Sequence, residues 1–204
     1  MFAWKFNEHS DEVGAKARLV ARGFRQREDI DFFETFAPTP AASCFRLLDA
    51  IACEVNLDLY HFDAEQAFVQ STLEGNVFMR LPQGWGDMSG KIVRFNCSLD
   101  GLNQASRLWH NHLVTHMKRL GFEQSPAEAC VMRLIESGPV SIVTIVHVDD
   151  IVAMGVTSRF DQLCEDLNCL VPVNNLGEMR WYAGCHFLRG LGCWDFGDFA
   201  ASFR

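Results

Sequence analysis

Three aspartates invite a chemical reading of this 204-residue chain. Asp149 and Asp150 stand side by side in "SIVTIVHVDDIVAMG", residues 141–155, and Asp63 stands in "HFDAEQAF". An ionised carboxylate is costly to bury alone, so such a pair requires cations, hydrogen-bond donors or water. Carboxylates are hard ligands suited to magnesium, which keeps several waters and accepts phosphate oxygens as its other partners. A third carboxylate arriving from another strand end would complete a two-metal site, one ion activating a hydroxyl and the other stabilising a leaving phosphate. On local pattern alone the "DD" reads as a solvated turn, because aspartate is a favoured turn residue.

The elements that must position these residues are legible in outline. Residues 140–153 hold nine β-branched residues in fourteen, interrupted around "HVDD", which predicts two strands joined by a tight turn. "LYHFDAEQAFV" predicts a short strand running into a turn or helix start, with Asp63 at the junction. "AKARLVARGF" alternates as a strand with one wet face, and "DIDFFETFAPTP" is an extended, proline-broken loop. Helices are predicted from about Ser43 to Val55, with a stripe of Phe45, Leu48, Ala52 and Val55, and over residues 107–120 with Trp109, Leu113, Met117 and Leu120 buried. A further helix is predicted from Ser158, which can cap it, with a stripe of Phe160, Leu163, Leu167 and Leu170. "MRWYAGCHFLR" predicts a strand pair, followed by a Gly/Phe-rich tail without periodicity. This order indicates an α+β domain, an antiparallel sheet with helices on one face.

Composition narrows the class. An apolar fraction of 49% supplies a core, and no apolar run approaches the eighteen or so residues of a membrane span. The start lacks a signal pattern, so the expectation is a soluble, intracellular protein in the cytoplasm or nucleus with no membrane partner. The eight cysteines include no CxxC pair and are expected to be reduced, mostly in the core. A formal net charge of −8 opposes nucleic-acid binding in the sum. Yet residues 13–27 carry Lys16, Arg18, Arg22, Arg25 and Arg27 with no acid, either a local positive patch or a solvated strand face.

Eight blocks carry a resemblance: "KARLVARGFRQ", "DFFETFAP", "FRLLDAIA", "HFDAEQAFVQSTLEGNVFMRLPQGW", "SLDGLNQASRLWH", "LGFEQSPAEACV", "IVHVDDIVAMG" and "NLGEMRWYAGCHF". In order and spacing, over most of residues 15–188, the chain resembles the reverse transcriptase domain of copia-type (pseudoviral) LTR retrotransposon Pol polyproteins. The resemblance implies the fingers and palm of a right-hand polymerase, interleaved over residues 1–188, with the palm carrying 57–70 and 140–188. Residues 189–204, which match no family block, are expected to be an irregular tail, the chain stopping before the thumb and RNase H that the resemblance implies.

The function so implied is RNA-directed DNA polymerisation, transferring a nucleotide from a dNTP to a primer 3'-hydroxyl. Asp63, Asp149 and Asp150 would hold two Mg2+ ions, with Mn2+ as an alternative. Lys16 and Arg18 would grip the triphosphate, Phe68 would exclude a ribose 2'-hydroxyl, and Gln104 in "GLNQ" would contact the nucleotide, in preference to Gln83 in "LPQGW". His147, Tyr182, Ala183 and Gly184 would form the primer grip. Partners would be an RNA or DNA template with its primer, dNTPs, and the thumb, RNase H and integrase of an intact polyprotein.

The chain departs from the family pattern at three positions: His147 replaces the tyrosine of Tyr-Val-Asp-Asp, and Asp100 and Asn103 replace a tyrosine and a lysine. The alternative reading is a truncated, catalytically inactive retroelement remnant with weak nucleic-acid binding. His112 and His116, four apart beside His110, could share a zinc ion or form a polar helix edge.

Overall fold

A computed structural model describes residues 2–6, 12–182, 185–189 and 194–198. In chain order the elements are β1 (Phe2–Phe6), β2 (Glu12–Ala17), α1 (Ala42–Glu54), β3 (Asp58–Ala64), α2 (Ala67–Gln70), β4 (Phe78–Arg80), β5 (Ile92–Arg94) and α3 (Ala105–Arg119). They continue as β6 (Phe122–Gln124), β7 (Val131–Ile135), β8 (Val140–His147), β9 (Asp150–Gly155), α4 (Phe160–Asn168), β10 (Val173–Glu178), β11 (Trp181–Tyr182), β12 (Cys185–Arg189) and β13 (Trp194–Asp198). The chain divides into two compact units, one of Met1–Ala37 and Phe68–Trp109, the other of Pro38–Ala67 and His110–Arg204. Among the described residues no helix is long and apolar enough to cross a membrane.

The second unit is built on a six-stranded antiparallel sheet in the order β10-β3-β9-β8-β7-β6. Its centre is apolar on both sides. Leu59 of β3, Ile145 of β8 and Val152 and Met154 of β9 pack in one cluster with Leu48 and Ala52 of α1. Tyr60 and Phe62 alternate with Leu59 and so face the other way. Tyr60 stacks on Phe160 of α4 at 4.2 Å between ring centroids, and Phe62 lies 6.3 Å from the same ring. Helices therefore cover both faces of the sheet, which corrects the expectation of helices on one face. The signal was present in "IVAMG", buried at every position rather than at alternate ones, as a strand covered on both sides must be. Burying a side chain such as Phe62 contributes about 1.5–3 kcal/mol.

Other expectations are refined. The Ser158 cap is absent: residues Thr157–Arg159 form a 3-10 turn, α4 starts at Phe160, and its flanking Arg159 makes no side-chain cap. Residues 189–204 were expected to be irregular, but Trp194–Asp198 pairs with β12 as an antiparallel strand. Among the cysteines whose burial is described, Cys130 is buried and Cys44 and Cys53 pack against the α1 cluster, whereas Cys97 and Cys169 are exposed.

The first unit contains two hairpins, β1–β2 and β4–β5, and a cluster of Ala21, Leu73, Val77, Leu102 and Ala105 with Phe68, Phe95, Leu99 and Leu108 against it. The strand expected over residues 15–24 ends at Ala17. Beyond it the chain is pinned elsewhere, the Ala21 amide donating to the Asp100 carbonyl at 2.7 Å. Gly23 and Gly101 make this crossing possible. A Cβ on Gly23 would lie 2.0 Å from the Gly101 carbonyl oxygen, and one on Gly101 2.3 Å from that of Ala21.

One residue of the second unit works against its packing. Asp49 of α1 is buried beside Leu48, and its Oδ1 has no hydrogen-bond partner. Burial pushes its carboxyl up from 3.8 to about 6. Between those values the folded chain holds a proton that the unfolded chain has lost, so stability falls as pH rises through the window and levels off above it. The loss amounts to about 3 kcal/mol. Urea unfolding should show a midpoint that drops between pH 4 and pH 7. In Asp49→Ala this part of the drop should vanish; an unchanged pH dependence would contradict the assignment.

Candidate active site

The β3–β9 ladder sets Asp63 directly opposite Asp150, and the same row continues to Asn174 of β10 on one side and His147 of β8 on the other. Opposed residues of an antiparallel pair project from the same face, their Cβ atoms about 5 Å apart. Two of the three candidate aspartates are thus cross-strand neighbours. The third, Asp149, is exposed in the two-residue turn Val148–Asp149 between β8 and β9. Its carbonyl accepts the Ala64 amide at 2.7 Å, which ties the turn to the end of β3.

The turn is strained. Val148 has φ +57°, a left-handed conformation that a two-residue hairpin requires but that a β-branched side chain resists. Such strain persists only where the surroundings over-determine it, here the ladders on both sides.

A residue that the sequence reading missed lies against these carboxylates. His61 precedes Asp63 by two positions and so shares its face. Its Nε2 lies 2.7 Å from Asp150 Oδ1. The strand alternation in "YHFDA" was the signal that could have found it. Behind it stands Tyr182, whose ring meets that of His61 edge-on at 5.7 Å and that of Phe45 at 4.6 Å. The Tyr182 hydroxyl is 2.7 Å from His147 Nδ1. Burial, then the nearby Asp150, Asp149 and Cys130, raises the phenol well above its ordinary range, so it stays protonated in its hydrogen bond with His147. Tyr182, expected at a primer end, is buried with its hydroxyl engaged inside the unit. Ala183 and Gly184 lie outside the described residues.

The remaining candidates belong to the first unit. The Lys16 backbone pairs with Ala3, and its side chain lies outside the described residues. Arg18, Arg22, Arg25 and Arg27 are exposed, Arg27 facing Asp31 at 3.6 Å. Phe68 is half-buried against the apolar cluster. Gln83 is exposed, whereas Gln104 is buried, its amide donating to the Asp31 carbonyl at 3.2 Å and its oxygen accepting from Gln26 Nε2 at 3.0 Å. Gln26 also accepts the Asn103 amide, and the Asn103 side chain donates to the Gly23 carbonyl. These bonds tie "GFRQ" to "GLNQ", a role for Gln26 that the sequence did not disclose.

Among the described residues no three His, Cys, Asp or Glu side chains are gathered as a ready metal cage. The aspartates are neighbours in register rather than an assembled cluster. Nor does a third ligand join His112 and His116, whose rings lie 4.3 Å apart and whose Nδ1 at His116 is engaged with the His112 carbonyl.

Comparison with known proteins gives this arrangement its context. The family model described as reverse transcriptase (RNA-dependent DNA polymerase) matches residues 1–198, and the chain belongs to this family, in its copia-type branch. It is 32% identical over 157 residues, 76% of its length, to the retrovirus-related Pol polyprotein from transposon RE2 of Arabidopsis thaliana. To the corresponding polyprotein from transposon RE1 of the same plant it is 31% identical over 90% of its length. To that from transposon TNT 1-94 of Nicotiana tabacum it is 30% identical over 87%. The chain spans 11%, 13% and 14% of these three polyproteins. No solved structure matches it.

The turn geometry can be checked without any ligand. Asparagine tolerates the left-handed conformation far better than valine. Val148→Asn should therefore raise stability by about 1 kcal/mol in urea unfolding; a loss of stability would show that residue 148 does not adopt this conformation.

Proposed function

We propose that this reverse transcriptase domain polymerises DNA on a primed template through Asp63, Asp149 and Asp150. The observation that carries the reading is the register of Asp63 against Asp150, with Asp149 one residue away at an exposed turn. In this reading the second unit would serve as palm and the first as fingers.

The donor set fits a hard divalent cation, all three side chains offering carboxylate oxygens and the exposed Asp149 having room to rotate. Magnesium or manganese held there would activate the primer hydroxyl and neutralise charge on the phosphates. The primer 3'-oxygen bonds to the α-phosphorus of the dNTP as the bond to the bridging oxygen breaks, pyrophosphate leaves, and the hydroxyl proton passes to water or a carboxylate. β-branched strands on both sides of the turn support its backbone, which would limit how far the carboxylates move during in-line transfer.

The nucleotide-binding side rests on the first unit. Arg18 and Lys16 would contact the triphosphate, and the ring of Phe68 would exclude a 2'-hydroxyl. Gln104 acts on this loop from within: its two bonds hold Gln26 and Asp31, and contact with a nucleotide would require exchanging one of them.

A second reading, a remnant that folds without polymerising, draws on Asp49, a buried carboxyl whose Oδ1 has no hydrogen-bond partner. Primer extension separates the two. On a primed RNA template with dNTPs and Mg2+, the chain should incorporate nucleotides, and Asp149→Asn should reduce the rate at least about 100-fold, the order expected when a group acting at the reacting phosphate is lost. Extension surviving that change would overturn the assignment of Asp149, and absence of extension by the folded wild-type chain would favour the remnant.

A further inference from the structure

We propose that His61 is a positioning residue for the cation site, orienting Asp150 so that one of its oxygens remains available to a divalent cation. The inference rests on the carboxylate reading above and adds a residue to it. An ionised carboxylate can only accept, so His61 Nε2 must carry the hydrogen in the 2.7 Å contact with Asp150 Oδ1. That bond occupies one carboxylate oxygen and restrains rotation of the group. The other oxygen is left for a ligand of opposite charge.

The imidazole is itself held. Its side chain is 16% exposed, against 34% for Asp150, so the bond is partly shielded from water that would compete for it. On its inner side the ring rests edge-on against Tyr182. Tyr182 in turn is fixed by the His147 contact and by the Phe45 ring of α1. Phe45, Tyr182, His61 and Asp150 therefore form a continuous line of contacts from the core cluster to the carboxylate. A donor at this place does for a carboxylate ligand what outer partners generally do for metal ligands, where their removal lowers affinity about 10–100-fold. Its effect is exerted through Asp150, the carboxylate that its Nε2 meets.

The test measures Mn2+ binding to the full chain from the electron paramagnetic resonance signal of the free ion, with Mg2+ as competitor. His61→Leu removes the donor and should weaken binding about 10–100-fold. His61→Gln retains an N–H that can reach Asp150 and should restore most of the affinity, a rescue that mere packing at this position would not produce. Urea midpoints of both variants identify any that fail to fold, and the glutamine variant keeps the test decisive if leucine does. Equal affinity in the wild type and folded His61→Leu would overturn the inference. So would equal losses in both variants, which would make the imidazole itself a ligand. Asp63→Asn serves as the separate control. Binding lost in Asp63→Asn but unchanged in His61→Leu rejects the positioning role alone, while binding unchanged in Asp63→Asn rejects the carboxylate site and the inference with it.

Discussion

Everything proposed for this chain depends on the pairing register of β3 with β9. Six consecutive pairs, from Asp58 with Gly155 to Asp63 with Asp150, fix that register. A slip of one residue would turn Leu59, His61 and Asp63 to the opposite face and replace them with Tyr60, Phe62 and Ala64. The packing forbids it. Leu59 belongs to the α1 cluster, whereas Tyr60 and Phe62 meet the Phe160 ring of α4 on the other side. Apolar burial far from the carboxylates thus determines that they stand opposite each other.

Placing carboxylates together is unfavourable unless something compensates, and the fold supplies part of the compensation. His61 donates to Asp150, and the sheet end leaves Asp149 in water. The left-handed Val148 is a local cost of making the turn in two residues. A longer turn would relax it and loosen the tie between the Asp149 carbonyl and the end of β3. His147, where the resemblance implies a tyrosine, hydrogen-bonds the Tyr182 hydroxyl and helps to close the wall behind His61.

The strands and helices of the second unit were largely legible because β-branched runs and three-four spacing are local signals. The hairpin around "HVDD" and helices near those predicted all appear. Cover on both faces of the sheet was missed, though the unbroken apolar "IVAMG" hinted at it. The strand through "RLVARGF" was misread because its alternation is overridden by a glycine-to-glycine crossing between segments about eighty residues apart, which no local pattern encodes. Gln104 illustrates the same limit. Its position in a motif suggested a ligand contact, but its partners Gln26 and Asp31 are set by the same distant crossing. Of the residues proposed for the site, the aspartates come from the resemblance, whereas His61 does not, because its contact is made with a strand 89 residues away.

The most direct measurement replaces Mg2+ by Fe2+ in the purified chain and maps the backbone cuts made by hydroxyl radicals generated at the bound iron. If the β3–β9 register brings the three carboxylates to one cation site, cuts should cluster together near residue 63 and near residues 148–150, and excess Mg2+ should suppress both sets alike. Cuts confined to one of these segments, or insensitive to Mg2+, would contradict a shared site.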